Sequence, residues 1–174
     1  MSIKIAIGIP TRGEIKAKTA LSLMETMKLP YTFFNIFDYS NDIWHSRENI
    51  VKIASDNLCS HIFFLDSDME FPSDTLQKLV EADKDIIGAD YNFKYMPRTQ
   101  IAEPLFSKNL GPYEVKGMGL GCMLIKMSVF ETLSHPYFLY PAEDFAFCQK
   151  ARELGFEVWA DGSIKVGHIG EFSY

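Results

Sequence analysis

Long apolar runs, paired cysteines and an excess of basic charge are all missing from this sequence. No stretch approaches the roughly 20 apolar residues of a membrane-spanning helix. The apolar opening, Met1 to Pro10, also lacks the layout of a secretory leader. Three cysteines, Cys59, Cys122 and Cys148, stand far apart and form no CxxC pair. That excludes a zinc ribbon and a full disulfide framework, and the three read as buried thiols in a reducing compartment. Lys and Arg number 17 against 23 Asp and Glu, a net charge of −6, which argues against a nucleic-acid partner because such binding normally needs a basic face. There is no repeat, low-complexity tract or linker. The expectation is one globular domain over residues 1–174, cytoplasmic and without a membrane span.

What is present is an alternation of two periods. Ile3, Ile5, Ile7 and Ile9 alternate with small or polar residues and end at Pro10-Thr11-Arg12-Gly13, a strand running into a turn. From Glu14 to Lys28, Ile15, Leu21, Met24 and Met27 fit a helical stripe. Tyr31 to Phe37 reads as a second strand. Ile43 to Leu58 reads as a second helix with Ile50, Val51, Ala54 and Leu58 on one face. His61 to Leu65 is a third strand, Pro72-Ser73-Asp74 starts a third helix, and Asp85 to Tyr91 holds a fourth strand. This βαβαβαβ order implies a parallel sheet with helices on its faces. Lys94 to Tyr113 shows no period and reads as loop with short irregular strands. Cys122 to Ile125 is an apolar strand, and Ser128 to Leu133 and Glu143 to Leu154 are helices, the latter with Phe145, Phe147, Cys148 and Ala151 toward the core. Glu157 to Ala160 and Ile164 to Val166 are short strands.

The segment richest in chemistry is Asp66-Ser67-Asp68. A strand apolar on both faces runs straight into two carboxylates, at the sheet edge where open α/β folds bind ligands. Two acids at such an edge are costly without a cation or donors to compensate them. Mg²⁺ and Mn²⁺ take oxygen ligands, often one or two carboxylates plus substrate phosphates. Read alone, the triplet is equally an ordinary solvated turn.

Further segments turn that balance. Ile9-Pro10-Thr11-Arg12, Phe64-Leu65-Asp66-Ser67-Asp68, Gly119-Leu120-Gly121-Cys122-Met123-Leu124-Ile125, Glu143-Asp144-Phe145-Ala146-Phe147-Cys148 and Val166-Gly167-His168 follow one another in this order. The series resembles the GT-A nucleotide-sugar glycosyltransferases, particularly family 2, over nearly the whole chain; short single-domain members of this kind occur in viruses. The resemblance implies a single-domain α/β GT-A fold with a mostly parallel central sheet and helices on both faces. It implies an enzyme that moves a sugar from a nucleoside-diphosphate sugar, UDP-sugar before GDP-sugar, to a hydroxyl of a carbohydrate or glycoprotein acceptor, with inversion. It implies Mn²⁺ or Mg²⁺ as cofactor, with Asp66 on the donor ribose or the metal, Asp68 on the metal and His168 completing the site. Asp144, ahead of Glu143, corresponds to the catalytic base. The nucleotide candidates are Thr11, Arg12, Asp38 and Arg47 with Asp66, although Asp38-Tyr39-Ser40 departs from the double-acid form usual in the family.

Gly117, Gly119 and Gly121 precede a strand and so form no dinucleotide fingerprint. They read as a close backbone approach to sugar or acceptor, or as a turn. Tyr95, Tyr137 and Tyr140 are candidates to stack on a sugar. Two other classes compete. A nucleotidyltransferase normally carries a glycine-rich loop after the first strand, and Pro10-Thr11-Arg12-Gly13-Glu14 has one glycine. A non-catalytic nucleotide-sugar-binding domain would keep the fold without the chemistry.

Overall fold

The structure, a computed structural model, describes residues 3–92, 101–106 and 110–170. Its elements are β1 (Lys4–Pro10), α1 (Ala17–Thr26), β2 (Thr32–Asp38), α2 (Ile43–Asp56), β3 (His61–Leu65), β4 (Met69–Glu70), α3 (Thr75–Glu81) and β5 (Ile86–Ala89). They continue as β6 (Glu103–Pro104), β7 (Pro112–Gly117), β8 (Cys122–Lys126), α4 (Met127–Thr132), α5 (Glu143–Glu153), β9 (Val158–Asp161) and β10 (Gly167–His168).

Eight strands form one sheet in the order β2-β1-β3-β8-β5-β9-β7-β6. β2, β1, β3, β5, β9 and β6 run one way, whereas β8 and β7 run against them. The sheet is therefore mostly parallel in strand direction, as expected. β8 inserts antiparallel between β3 and β5, an arrangement that the βαβ order of the first half could not reveal.

Helices cover both faces, and β3 shows why the strands are apolar throughout. Ile62 and Phe64 point to a core shared with Ile50, Val51 and Ala54 of α2, Phe130 of α4 and Phe147 of α5. Phe63 and Leu65 point to the other core, with Leu23 of α1 and Leu76 and Leu79 of α3. Strands buried on both faces lose the polar alternation of a half-exposed sheet.

Three sequence expectations need correction. On α1 the buried face is Thr19, Ser22, Leu23 and Thr26, while Leu21, Met24 and Met27 are exposed. Ser22 and Thr26 pack inward because their hydroxyls find partners: Phe71 N–H donates to Ser22 Oγ at 3.1 Å, and Thr26 Oγ1 donates to the Ser22 carbonyl at 2.9 Å. Leu58 leaves the helix face; it stands in the left-handed region with φ 54°, two residues past the end of α2, and is exposed. The last strand lies at Gly167–His168 and not at 164–166, so it contains the histidine instead of preceding it.

Candidate active site at the carboxyl edge of the sheet

β3 delivers Asp66 to the sheet edge, and the start of β8 fixes it there. The Asp66 N–H donates to the Gly121 carbonyl at 3.0 Å. A Cβ at Gly121 would lie 2.7 Å from Asp66 Oδ2 and 2.5 Å from the Tyr91 hydroxyl, so only glycine admits both. The Gly121 N–H donates to that hydroxyl at 3.0 Å. At Gly117 the near neighbour is Phe145, and at Gly119 it is Ile101 and Tyr91. The close approach read from these glycines is thus made to the protein's own side chains.

His168, a hundred residues further on, is carried to the acids by a small second sheet. β10 pairs antiparallel with β4, His168 opposite Met69, and the Ile169 N–H donates to the Asp68 carbonyl at 2.8 Å. The ring Nε2 stands 3.4 Å from Asp68 Oδ1. Its Nδ1 stands 3.3 Å from the Asn92 carbonyl, the backbone contact that leaves Nε2 as the ligand nitrogen of a metal-binding histidine. Asp66, Asp68 and His168 each offer one ligand atom, all within 4.8 Å of one another. Two carboxylate oxygens and one imidazole nitrogen so grouped are a donor set that could hold a metal ion.

Arg47 holds the other side of the site. It is 2% exposed, on α2. Its Nη2 donates to Asp66 Oδ1 at 3.1 Å and its Nη1 to Glu143 Oε1 at 2.8 Å. The guanidinium fork therefore joins the end of β3 to the start of α5, with its Cζ over the Phe64 ring, 5.8 Å from the centroid. Glu48, the next residue, accepts the N–H groups of Tyr137 and Phe138 and pairs with His135 at 3.0 Å. Two successive residues of α2 thus hold the segment that leads into α5.

Glu143 and Asp144 open α5. Burial raises the Glu143 carboxyl above its ordinary value; the Arg47 charge opposes this, and Asp144 adds to it. Burial likewise raises Asp144, against the Phe145 N–H, which donates to Asp144 Oδ1 at 2.8 Å, and against Arg47. Asp144 shares a helix face with Cys148, four residues on. The Cys148 thiol donates to the Met118 carbonyl, so this face looks toward the Gly117–Gly121 segment.

A cleft of about 730 Å³ opens over this edge. Its walls include Thr11, Arg12, Asp42, Trp44, Asp66, Asp68, Tyr140 and Glu143. Of the residues expected at the site, Thr11, Arg12, Asp66, Asp68 and Glu143 line it, whereas Asp144, His168, Asp38 and Arg47 are not among its walls. The Thr11 hydroxyl is engaged in the turn, donating to the Glu14 carbonyl and accepting from the Gly13 and Glu14 N–H groups. Asp38 sits just behind, its carboxylate accepting from the Ser40 N–H and the Asn49 amide. Arg47, read as reaching a base or phosphate, has its two terminal nitrogens on carboxylates instead. Tyr140 is on the cleft wall and largely exposed, whereas Tyr137 packs edge-on against Phe130 and His135. Tyr95 lies outside the described residues. Trp44 and the 40–42 turn were not singled out from sequence; their signal was position alone, at the start of the helix that follows β2.

Sheet order, helix placement and neighbours define the class: this is the GT-A fold of glycosyltransferases. Solved structures of similar fold include A197 from STIV, at TM-score 0.74 and 24% identity over 97% of this chain and 86% of that one. They also include GalNAc-T7, solved with UDP, GalNAc and Mn²⁺, at TM-score 0.61 and 14% identity over 97% of this chain and 44% of that one. No family model matches the sequence, and no curated protein matches it at a significant level. Among the described residues, no helix is long and apolar enough to cross a membrane.

Proposed function

We propose that this protein is a metal-dependent glycosyltransferase that moves a sugar from a nucleoside-diphosphate sugar to an acceptor hydroxyl with inversion. The observation that carries the reading is the convergence of Asp66, Asp68 and His168 on one point at the carboxyl edge of a GT-A sheet, beside a cleft large enough for a nucleotide. A divalent cation held there would neutralise charge on the diphosphate leaving group. UDP is the first candidate for the donor nucleotide, since GalNAc-T7 was solved with UDP and Mn²⁺; a GDP-sugar is the second.

The chain's own groups divide the remaining work. Thr11, Arg12 and the Asp38 turn form the nucleotide end of the cleft. Glu143 is held by Arg47, and that pairing suits it to orienting the acceptor. Asp144, on the same helical turn but without a direct ion pair to Arg47, takes the proton of the attacking hydroxyl. The acceptor is a carbohydrate or glycoprotein hydroxyl.

Asp68→Ala is expected to abolish metal-dependent binding of UDP or UDP-sugar while the chain stays folded. Isothermal titration with UDP-, GDP- and dTDP-sugars, with and without Mn²⁺, measures this. Unchanged donor affinity of Asp68→Ala in Mn²⁺ would sink the metal assignment, and a wild type that binds none of the donors would sink the glycosyltransferase reading.

A further inference from the structure

The two edges of the main sheet are treated very differently. β6 is two residues long, carries Pro104 and pairs with β7 through an irregular register; these are devices that protect an edge from a second strand. β2, at the opposite edge, is seven residues long, Thr32-Phe33-Phe34-Asn35-Ile36-Phe37-Asp38. It has no proline, no lysine and no bulge against β1.

The backbone of β2 is already sorted into two sets. The Thr32 N–H donates to the Ile3 carbonyl, and the Asp38 carbonyl accepts from the Thr11 N–H. In a parallel ladder of this register, residues 32, 34, 36 and 38 turn their backbone groups toward β1. Phe33, Asn35 and Phe37 therefore direct theirs away from the sheet. An antiparallel copy of the same strand, centred on Asn35, sets Asn35 opposite itself and Phe33 opposite Phe37. All outward groups then fall in hydrogen-bonded pairs. Between them Phe34 meets Ile36. Asp38, the single charged residue of the strand, falls opposite Thr32, so no like charges meet.

One face of the edge is apolar as well, whereas on the other Lys4 Nζ lies 5.6 Å from the Phe34 ring centroid. Phe37 is 42% exposed. On α1, Leu21, Met24 and Met27 are 62%, 64% and 44% exposed, and Met27 Sδ is 3.7 Å from the Asn35 amide nitrogen. Asn35 shares its face of the strand with Phe33 and Phe37. A two-fold axis through Asn35, perpendicular to the sheet, would place the α1 helices of both copies on the same side, next to each other.

We propose that β2 is the interface of a homodimer, pairing antiparallel with β2 of a second copy about Asn35 to make one continuous sheet. Sedimentation velocity and light scattering on the full chain test this. Wild type is expected at twice the 19.9 kDa chain mass. Asn35→Pro removes an N–H that β1 does not use, a position where an edge strand tolerates proline; it should give the single-chain mass. Asn35→Lys, which sets two ammonium groups together on the axis, should also give the single-chain mass, with a thermal midpoint that no longer rises with protein concentration. Asn35→Cys should give a disulfide-linked dimer on mild oxidation, since self-opposed residues bring their Cα atoms within bonding range and the native cysteines are all buried. Single-chain mass for the wild type at high concentration overturns the proposal. So does a dimer that survives both Asn35→Pro and Asn35→Lys. Flotation of a monomeric wild type with lipid vesicles, lost in Met24→Lys, would also overturn it, assigning the apolar face to a membrane surface instead.

Discussion

Arg47→Met is expected to destabilise the chain by about 3–5 kcal/mol, the usual cost of removing one partner from a buried charge cluster. Methionine fills much of the arginine's volume, so packing is largely retained and the loss reports charge. Two carboxylates, on Asp66 and Glu143, are left facing each other without their shared cation. Both side chains keep some water contact, 26% and 13% exposed, which places the effect toward the lower end of that range. Arg47→Lys should recover only part of it, because one ammonium cannot span the 2.8 and 3.1 Å contacts that the two arms of the guanidinium make. Chemical denaturation of wild type and both variants measures the difference. A loss under about 1 kcal/mol for Arg47→Met, the range of exposed pairs, would mean that the cluster does not hold β3 and α5 together. Donor binding on the same variants separates the two uses of arginine. A residue that contacts nucleotide loses affinity in proportion to its lost contact, whereas one that positions Asp66 loses metal-dependent binding above all.

The position of Arg47 shows what the sequence could and could not convey. Its helix was legible from Ile50, Val51 and Ala54, and its nearness to the site followed from its place after β2. Its burial was not legible, because an isolated arginine on a helix is normally at the surface. Only the tertiary meeting of β3 and α5 supplies the two carboxylates that make burial tolerable. His168 drew notice for the opposite reason: it matched an ordered series of motifs, and the structure brings it beside Asp66 and Asp68, although the β10–β4 pairing that delivers it spans only two residues on each strand and gives no periodic signal. The α1 stripe failed because apolar periodicity was read at Leu21, Met24 and Met27, while the buried face carries Leu23 among three small hydroxyl residues, Thr19, Ser22 and Thr26, of which Ser22 and Thr26 bond to backbone. The same failure is informative, since it leaves three large apolar side chains at the surface beside an unguarded edge strand. The reversed strand β8 lay beyond sequence reasoning altogether, as the apolar run Cys122 to Ile125 reads the same whichever way the strand runs against its neighbours.

Asp144→Asn is expected to depress sugar transfer by about 10²–10⁴-fold while donor affinity changes little, since loss of a general base acts on the chemical step alone. Asparagine keeps the size of the side chain and can still accept the Phe145 N–H, so the start of α5 should persist. The pH profile supplies an independent sign. Burial holds the Asp144 carboxyl above its ordinary value even against the Phe145 N–H and Arg47. A base works ionised, so kcat/KM should fall as pH drops through this raised pKa, with the acid limb lying above the ordinary aspartate value of about 3.9. Asp144→Asn should remove that limb from whatever rate remains. Glu143→Gln is the comparison. Glu143 pairs with Arg47, and its loss should cost stability with a smaller loss of turnover. An acid that merely complements the helix dipole would give a different result for Asp144→Asn, roughly 0.3–1 kcal/mol of stability with near-normal turnover. Transfer rates and thermal midpoints of the two variants, measured side by side with UDP-sugar and Mn²⁺, distinguish the cases. If Glu143→Gln loses the rate and Asp144→Asn keeps it, the base is Glu143, and Arg47 then acts on it directly by holding it ionised in the cleft.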